Sequence, residues 1–168
     1  FVLESSAVTL FPGGFGTHDE GFETLTLIQT GKCQMMPLVF LDQPQGTYWK
    51  TWQRYVEEHL LRRGMISLED LHLFLVTDDC TRAGDEITRF YRVYHSSRYV
   101  EDLLVVRTLV ALPEALLAEL SVEFADLIQD GALAPCQPFP AERDDPQSLH
   151  LPRVAFRFTR RNYGRLRM

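Results

Sequence analysis

The chain has 168 residues, 45% hydrophobic and 24% charged, with a formal net charge of −6. This length buries the core of one domain, or of one domain with a small appendage; the composition excludes a disordered segment, and no apolar run approaches the ~18 residues of a membrane span. The negative balance excludes a general polyanion binder, whose affinity comes from clustered cations, and leaves a small phosphorylated ligand held at a local site.

The run Ser6 to Phe11 is apolar and β-branched and is stopped by Pro12-Gly13-Gly14, which predicts a buried strand ending in a glycine loop. A helix is expected from His18 to Thr30, with Phe22, Leu25 and Ile28 inward and Gly31-Lys32 as its stop. Pro37 to Asp42 repeats the strand pattern, and Gln43 to Gly46 is a turn. An amphipathic helix from Tyr48 to Arg63 follows, with Trp49, Trp52, Val56 and Leu60 inward and Gly64 beyond its end. Ser67 to Leu71 reads as one helical turn, Leu73 to Thr77 as a third strand, and Asp78-Asp79 as the lead into a helix over Asp85 to Tyr94.

Strands that are apolar on both faces and alternate with helices predict an α/β fold, a Rossmann-like parallel sheet with flanking helices. Three strands are fewer than the five or six usual in a doubly wound sheet, so an N-terminal half is expected upstream of Phe1.

Beyond Tyr94 a strand is expected from Leu103 to Leu109, then a helix from Pro113 to Ile128 with Leu116, Leu120, Phe124 and Leu127 inward. The stretch Ala132 to Ser148 carries Pro135, Pro138, Pro140 and Pro146 and reads as an exposed excursion or lid. Arg153 to Thr159 is a strand with Val154, Phe156 and Phe158 on one face. The expected organisation is thus residues 1–94 as the Rossmann-like part and residues 95–168 as a small α+β extension.

A glycine loop between a buried strand and a helix N-terminus is where α/β proteins hold phosphate: backbone N–H groups point outward and the helix dipole favours an anion. Gly13, Gly14 and Gly16 remove the Cβ atoms that would stand in the way. The segment fits neither GxGxxG nor the Walker pattern, so ordinary dinucleotide or ATP binding loses support. Thr17-His18-Asp19-Glu20 also fits a capping box, in which Thr17 caps the helix and Glu20 folds back on the cap N–H without any chemistry. Glu23 lies one turn along on the same face as Glu20.

Pro12-Gly13-Gly14-Phe15-Gly16-Thr17-His18-Asp19-Glu20 matches PGGxGTxxE, the signature of the Lonely Guy family of phosphoribohydrolases, often described as lysine decarboxylases. The likeness continues through Lys32 and, more loosely, to about Tyr94; the remainder resembles the extension of longer bacterial members. The resemblance implies a Rossmann-like homodimer that needs no cofactor and no metal. Its expected reaction is hydrolysis of the N-glycosidic bond of a nucleoside 5′-monophosphate to free base and ribose 5-phosphate. It assigns the 5′-phosphate to Gly13, Gly14, Gly16 and Thr17, catalysis to Glu20, and ribose contact or support of Glu20 to Glu23. The family's Arg-Lys pair is expected upstream of Phe1. The alternative is a nucleotide or cofactor carrier that uses the same loop without hydrolysis.

Other groups have simpler readings. His18 is expected to face solvent, Asp78 and Asp79 to serve as turn and helix-cap residues, and Tyr48 and Trp49 to be core rather than a base-stacking wall. His95-Ser96-Ser97-Arg98 reads as a polar junction. The tail holding Arg153, Arg157, Arg160, Arg161, Arg165 and Arg167 has no acid after Leu151, and Glu142, Asp144 and Asp145 offer it internal partners. Lys32 and Lys50 are the only lysines, and neither has the setting of a Schiff-base lysine. Cys33, Cys80 and Cys136 are far apart with no CxxC pair, as in the reduced thiols of a cytoplasmic protein.

Overall fold

The computed structural model describes residues 2–168. Its contacts divide the chain into two compact units, Phe1–Phe90 with Asn162–Met168, and Tyr91–Arg161.

The first unit is an α/β layer structure. Strands β1 (Val8–Leu10), β2 (Leu38–Leu41) and β3 (Leu75–Thr77) form a parallel sheet in the order β1-β2-β3, with Val8 opposite Leu38 and Val39 opposite Leu75. Helix α1 (Phe15–Gln29) joins β1 to β2, and α2 (Tyr48–Tyr55) leads from β2 toward β3, its last turns continuing as a π-helix over Val56–Leu61. Successive right-handed crossovers running in one direction across a sheet lie on one face. All four residues of the central strand β2 are buried, because their alternation feeds two cores. Leu38 and Phe40 pack with Ile28, Trp49, Trp52 and Val56, whereas Val39 and Leu41 pack with Ala83 of α3 (Cys80–Phe90). Phe40 anchors the larger core, stacked on Trp52 at 4.3 Å and edge-on to Trp49 at 4.7 Å between ring centroids.

Two expectations about helices shift. Helix α1 begins at Phe15 rather than His18, and its buried stripe is Gly21, Thr24 and Ile28, with Phe22 exposed. Gly21 faces the sheet because a Cβ there would press on Leu10 and Phe40 at 3.1 and 3.2 Å. Helix α3 begins at Cys80 rather than Asp85, since Asp79 accepts from the backbone N–H groups of Thr81 and Arg82 and caps it. The stop of α1 is as expected: Gly31 has φ +67°, its N–H donates to Ile28 and that of Lys32 to Leu27, the paired bonds of a Schellman end.

The short helix α5 (Tyr163–Arg167) packs within the first unit, against the 3-10 turn Glu69–Leu73, which corrects its placement in a 95–168 extension. A Cβ on Gly164 would overlap the carbonyl of Glu69, so glycine permits the close approach, and Arg167 pairs with Glu86 at 2.6 Å.

The second unit is an antiparallel sheet in the order β4-β5-β7-β6, built from β4 (Tyr94–Val100), β5 (Leu103–Thr108), β6 (Ala134–Pro135) and β7 (Arg153–Phe156). Helix α4 spans Glu114–Glu123. The stretch around His95 is therefore strand, not junction, and is paired with β5 from Tyr94 to Val100. Arg107 and Arg153 stand opposite each other in the β5–β7 register, an arrangement that repels unless a charge intervenes. Glu142, fully buried, supplies it: its Oε1 accepts from Nε and Nη2 of Arg107 at 3.0 and 2.9 Å. Arg153 Nη1 lies 2.8 Å from the same oxygen as an ionic contact without hydrogen-bond geometry. The other oxygen accepts from the Phe139 N–H. The proline-rich stretch expected to be a lid is thus pinned by a buried carboxylate.

Candidate active site

Loops at the C-terminal ends of parallel strands form the ligand side of such sheets. Here they are Phe11 to Gly14 after β1, Asp42 to Thr47 after β2, and Asp78-Asp79 after β3. The first two, with Cys80 beyond the third, border an open cleft of about 700 Å³, lined among others by Pro12, Leu41, Asp42, Pro44 and Tyr48.

The glycine loop enters α1 with Gly14 at the N-cap, in extended conformation and with no side-chain cap among the described residues. The first intrahelical bond runs from the His18 N–H to the Gly14 carbonyl at 3.3 Å. The N–H groups of Phe15, Gly16 and Thr17 precede that bond and are the donors a helix start leaves without intrahelical partners. The glycines divide by cause. A Cβ on Gly13 would overlap the Thr17 hydroxyl, so those two residues are fitted to each other, whereas a Cβ on Gly14 or Gly16 would meet nothing within 4 Å. Neither Gly14 nor Gly16 has positive φ. Nothing in the described fold requires glycine at those two positions; the approach of a ligand would.

This register removes the capping-box reading. With Gly14 at the N-cap the third helical position is Thr17, so Glu20 lies in the second turn, too far along to reach back to a cap N–H. Its Oε2 is buried with no hydrogen-bond partner among the described residues, although Glu20 as a whole is only half-buried. An acceptor left alone in this way costs stability and calls for an explanation, a catalytic role among those that serve. Glu23, one turn further, is exposed.

His18 is not solvent-facing. Its Nε2 lies 2.7 Å from the Tyr48 hydroxyl, its ring packs against Tyr48 and Trp49, and the Tyr48 hydroxyl donates to the Gly13 carbonyl. At roughly 100° per residue, His18 and Glu20 project from opposite flanks of α1, His18 toward α2 and Glu20 away from it. The cleft reaches the loop at Pro12 on the α2 side and does not include Gly13 to Glu20.

Two further groups hold the loops. Asp42, at the end of β2 and 7% exposed, accepts from the N–H groups of Gln43 and Trp49 at 2.9 and 3.3 Å and so fastens the start of α2. Asp78 accepts from Lys50 at 3.0 Å and from the Gln45 N–H; the ammonium beside it holds its carboxyl below the usual range. Asp42 and the Tyr48–Gly13 bond were missed by sequence reasoning, although the position of Asp42 at a strand's C-terminal end was a usable signal. Among the described residues no group of three or more His, Cys, Asp or Glu is placed to hold a metal, and no helix is long and apolar enough to cross a membrane.

A parallel sheet whose first strand feeds a glycine loop and an uncapped helix start defines a Rossmann-like α/β protein. A family model described as possible lysine decarboxylase matches residues 1–87, and the chain belongs to this Lonely Guy-like family of enzymes. No curated protein matches the chain.

Proposed function

We propose that the complete protein hydrolyses the N-glycosidic bond of a nucleoside 5′-monophosphate, with this chain supplying the phosphate cradle and the catalytic carboxylate. The observation that carries the reading is the lone buried oxygen of Glu20 one turn beyond an open glycine loop.

The 5′-phosphate binds the N–H groups at the start of α1, where the dipole favours an anion and where Gly14 and Gly16 leave room for it. Gly13 makes space for the Thr17 hydroxyl, which stands beside the same loop as a further donor. Side chains on a helix lean toward its N-terminus, and Gly16 to Glu20 is a rise of about 6 Å, so Glu20 leans back toward the ribose of a nucleotide anchored at the loop. As the C1′–N bond breaks, positive charge grows on the sugar, and a carboxylate nearby stabilises it. Water then adds its oxygen to C1′, one proton passes to the departing base, and ribose 5-phosphate remains. Glu23 contacts ribose hydroxyls or orients Glu20. The working unit we propose is a homodimer.

The family description also names lysine decarboxylation, which needs a lysine enclosed with its cofactor. Lys32 is exposed just beyond the end of α1, and Lys50 is exposed and paired with Asp78. Neither fits.

The test is incubation of full-length protein with AMP and related monophosphates. Release of free base and ribose 5-phosphate is expected; recovery of the intact nucleotide after prolonged incubation would instead support a carrier.

A further inference from the structure

Tyr48, the first residue of α2, is bonded through its hydroxyl to the carbonyl oxygen of Gly13 and lies 2.7 Å from His18 Nε2. A phenol has one proton. Once that proton is given to the carbonyl, the oxygen can only accept from His18, so the Nε2 of His18 carries the hydrogen of this bond. The pair is anchored from behind: the His18 ring packs 5.6 Å from that of Trp49, a fully buried core residue.

The carbonyl of Gly13 and the N–H of Gly14 are the two ends of one planar trans peptide and point in opposite directions. Holding the oxygen toward Tyr48 therefore turns the Gly14 N–H away from α2. This peptide lies between two glycines, where the backbone has the most freedom to rotate and where an unheld plane would flip. A flipped plane presents a carbonyl oxygen where the N–H had been and repels an anion instead of binding it.

We infer that Tyr48, steadied by His18, is a positioning residue that sets the Gly13–Gly14 peptide so that the Gly14 N–H faces the phosphate. The inference rests on the reading that this loop holds a 5′-phosphate. It extends the site to α2 and gives His18 a role on the flank of α1 opposite Glu20.

The experiment uses the full-length protein and its Tyr48→Phe variant, which keeps the ring and loses the bond. Ribose 5-phosphate binding is measured by calorimetry, and kcat and KM with a nucleoside 5′-monophosphate are measured separately. The expected result is binding weaker by about 10- to 100-fold, the scale of one hydrogen bond to a charged group, with KM raised and kcat little changed. His18→Ala is expected to weaken binding less, and to add little on top of Tyr48→Phe; if Tyr48→Phe does not fold, the same comparison is made with His18→Ala. Wild-type affinity in Tyr48→Phe, or a loss confined to kcat, overturns the inference. If the wild type releases no base yet Tyr48→Phe still weakens ribose 5-phosphate binding, the hydrolytic reading fails and the positioning role stands. Absence of ribose 5-phosphate binding by the wild type overturns both.

Discussion

Gly13 and Thr17 are fitted to each other: a methyl group on Gly13 would occupy the place of the Thr17 hydroxyl. The neighbouring Gly14 and Gly16 face no such neighbour. One loop thus contains a glycine that the fold needs and two that a ligand would need.

Substitution separates them. Gly13→Ala is expected to lose about 1–3 kcal/mol, the scale of an overpacked site. Gly16→Ala, inside the first turn of α1, is expected to gain about 0.4–1 kcal/mol by restricting the unfolded chain, while weakening the binding of ribose 5-phosphate. Thermal unfolding and calorimetry on the two variants read both effects. A Gly16→Ala protein with unchanged affinity would remove the ligand from the explanation.

Glu142 holds two buried arginines together, so Glu142→Gln leaves Arg153 without its carboxylate and Arg107 with Asp145 alone, and is expected to cost about 3–5 kcal/mol in denaturant unfolding. Burial alone would raise its carboxyl, but the Phe139 N–H and the Arg107 and Arg153 guanidiniums together hold it below the usual range. A carboxyl lowered in the folded state stabilises the fold above its unfolded pKa of about 4.3 and loses that contribution as the pH falls through the folded value. Wild-type stability is therefore expected to drop below about pH 4, and the drop to be smaller in Glu142→Gln.

Asp79→Ala removes the cap of α3 and is expected to cost about 1 kcal/mol, measured by urea unfolding. No change would mean that the helix start is held by other contacts.

All three cysteines are free thiols, but they differ in setting. Burial pushes the Cys33 thiol up to about 11, whereas Cys80 is exposed at the start of α3. Brief alkylation near pH 8 followed by peptide mass analysis is expected to label Cys80 well before Cys33. The reverse order would contradict the burial of Cys33.

The parallel sheet was legible in the sequence because each of its strands is an apolar run closed by Pro, Gly or Asp. The stripe of Trp49, Trp52 and Val56 along α2 and its π-helical continuation was legible for a similar reason, since one helical face carries the core. Strand β4 was not: His95 to Arg98 has no apolar alternation, and its extended form depends on pairing with β5. Helix α5 has five residues and forms against the Glu69–Leu73 turn, a contact no local pattern announces. At the candidate site the glycine loop could be read directly, but the start of α1 could not. Thr17 and Gly14 are about equal as capping residues by type, yet Gly14 takes the N-cap, and that shift of three residues takes Glu20 out of capping-box register and leaves its oxygen unpartnered among the described residues.

The most direct test of the account is turnover of a nucleoside 5′-monophosphate by full-length Glu20→Ala and Glu20→Gln proteins beside the wild type, with ribose 5-phosphate affinity measured on the same samples. Free base release is expected to fall by about 10²–10³-fold in both variants while the phosphate loop still binds. Turnover equal to the wild type in either variant would contradict the assignment of Glu20 as the catalytic carboxylate.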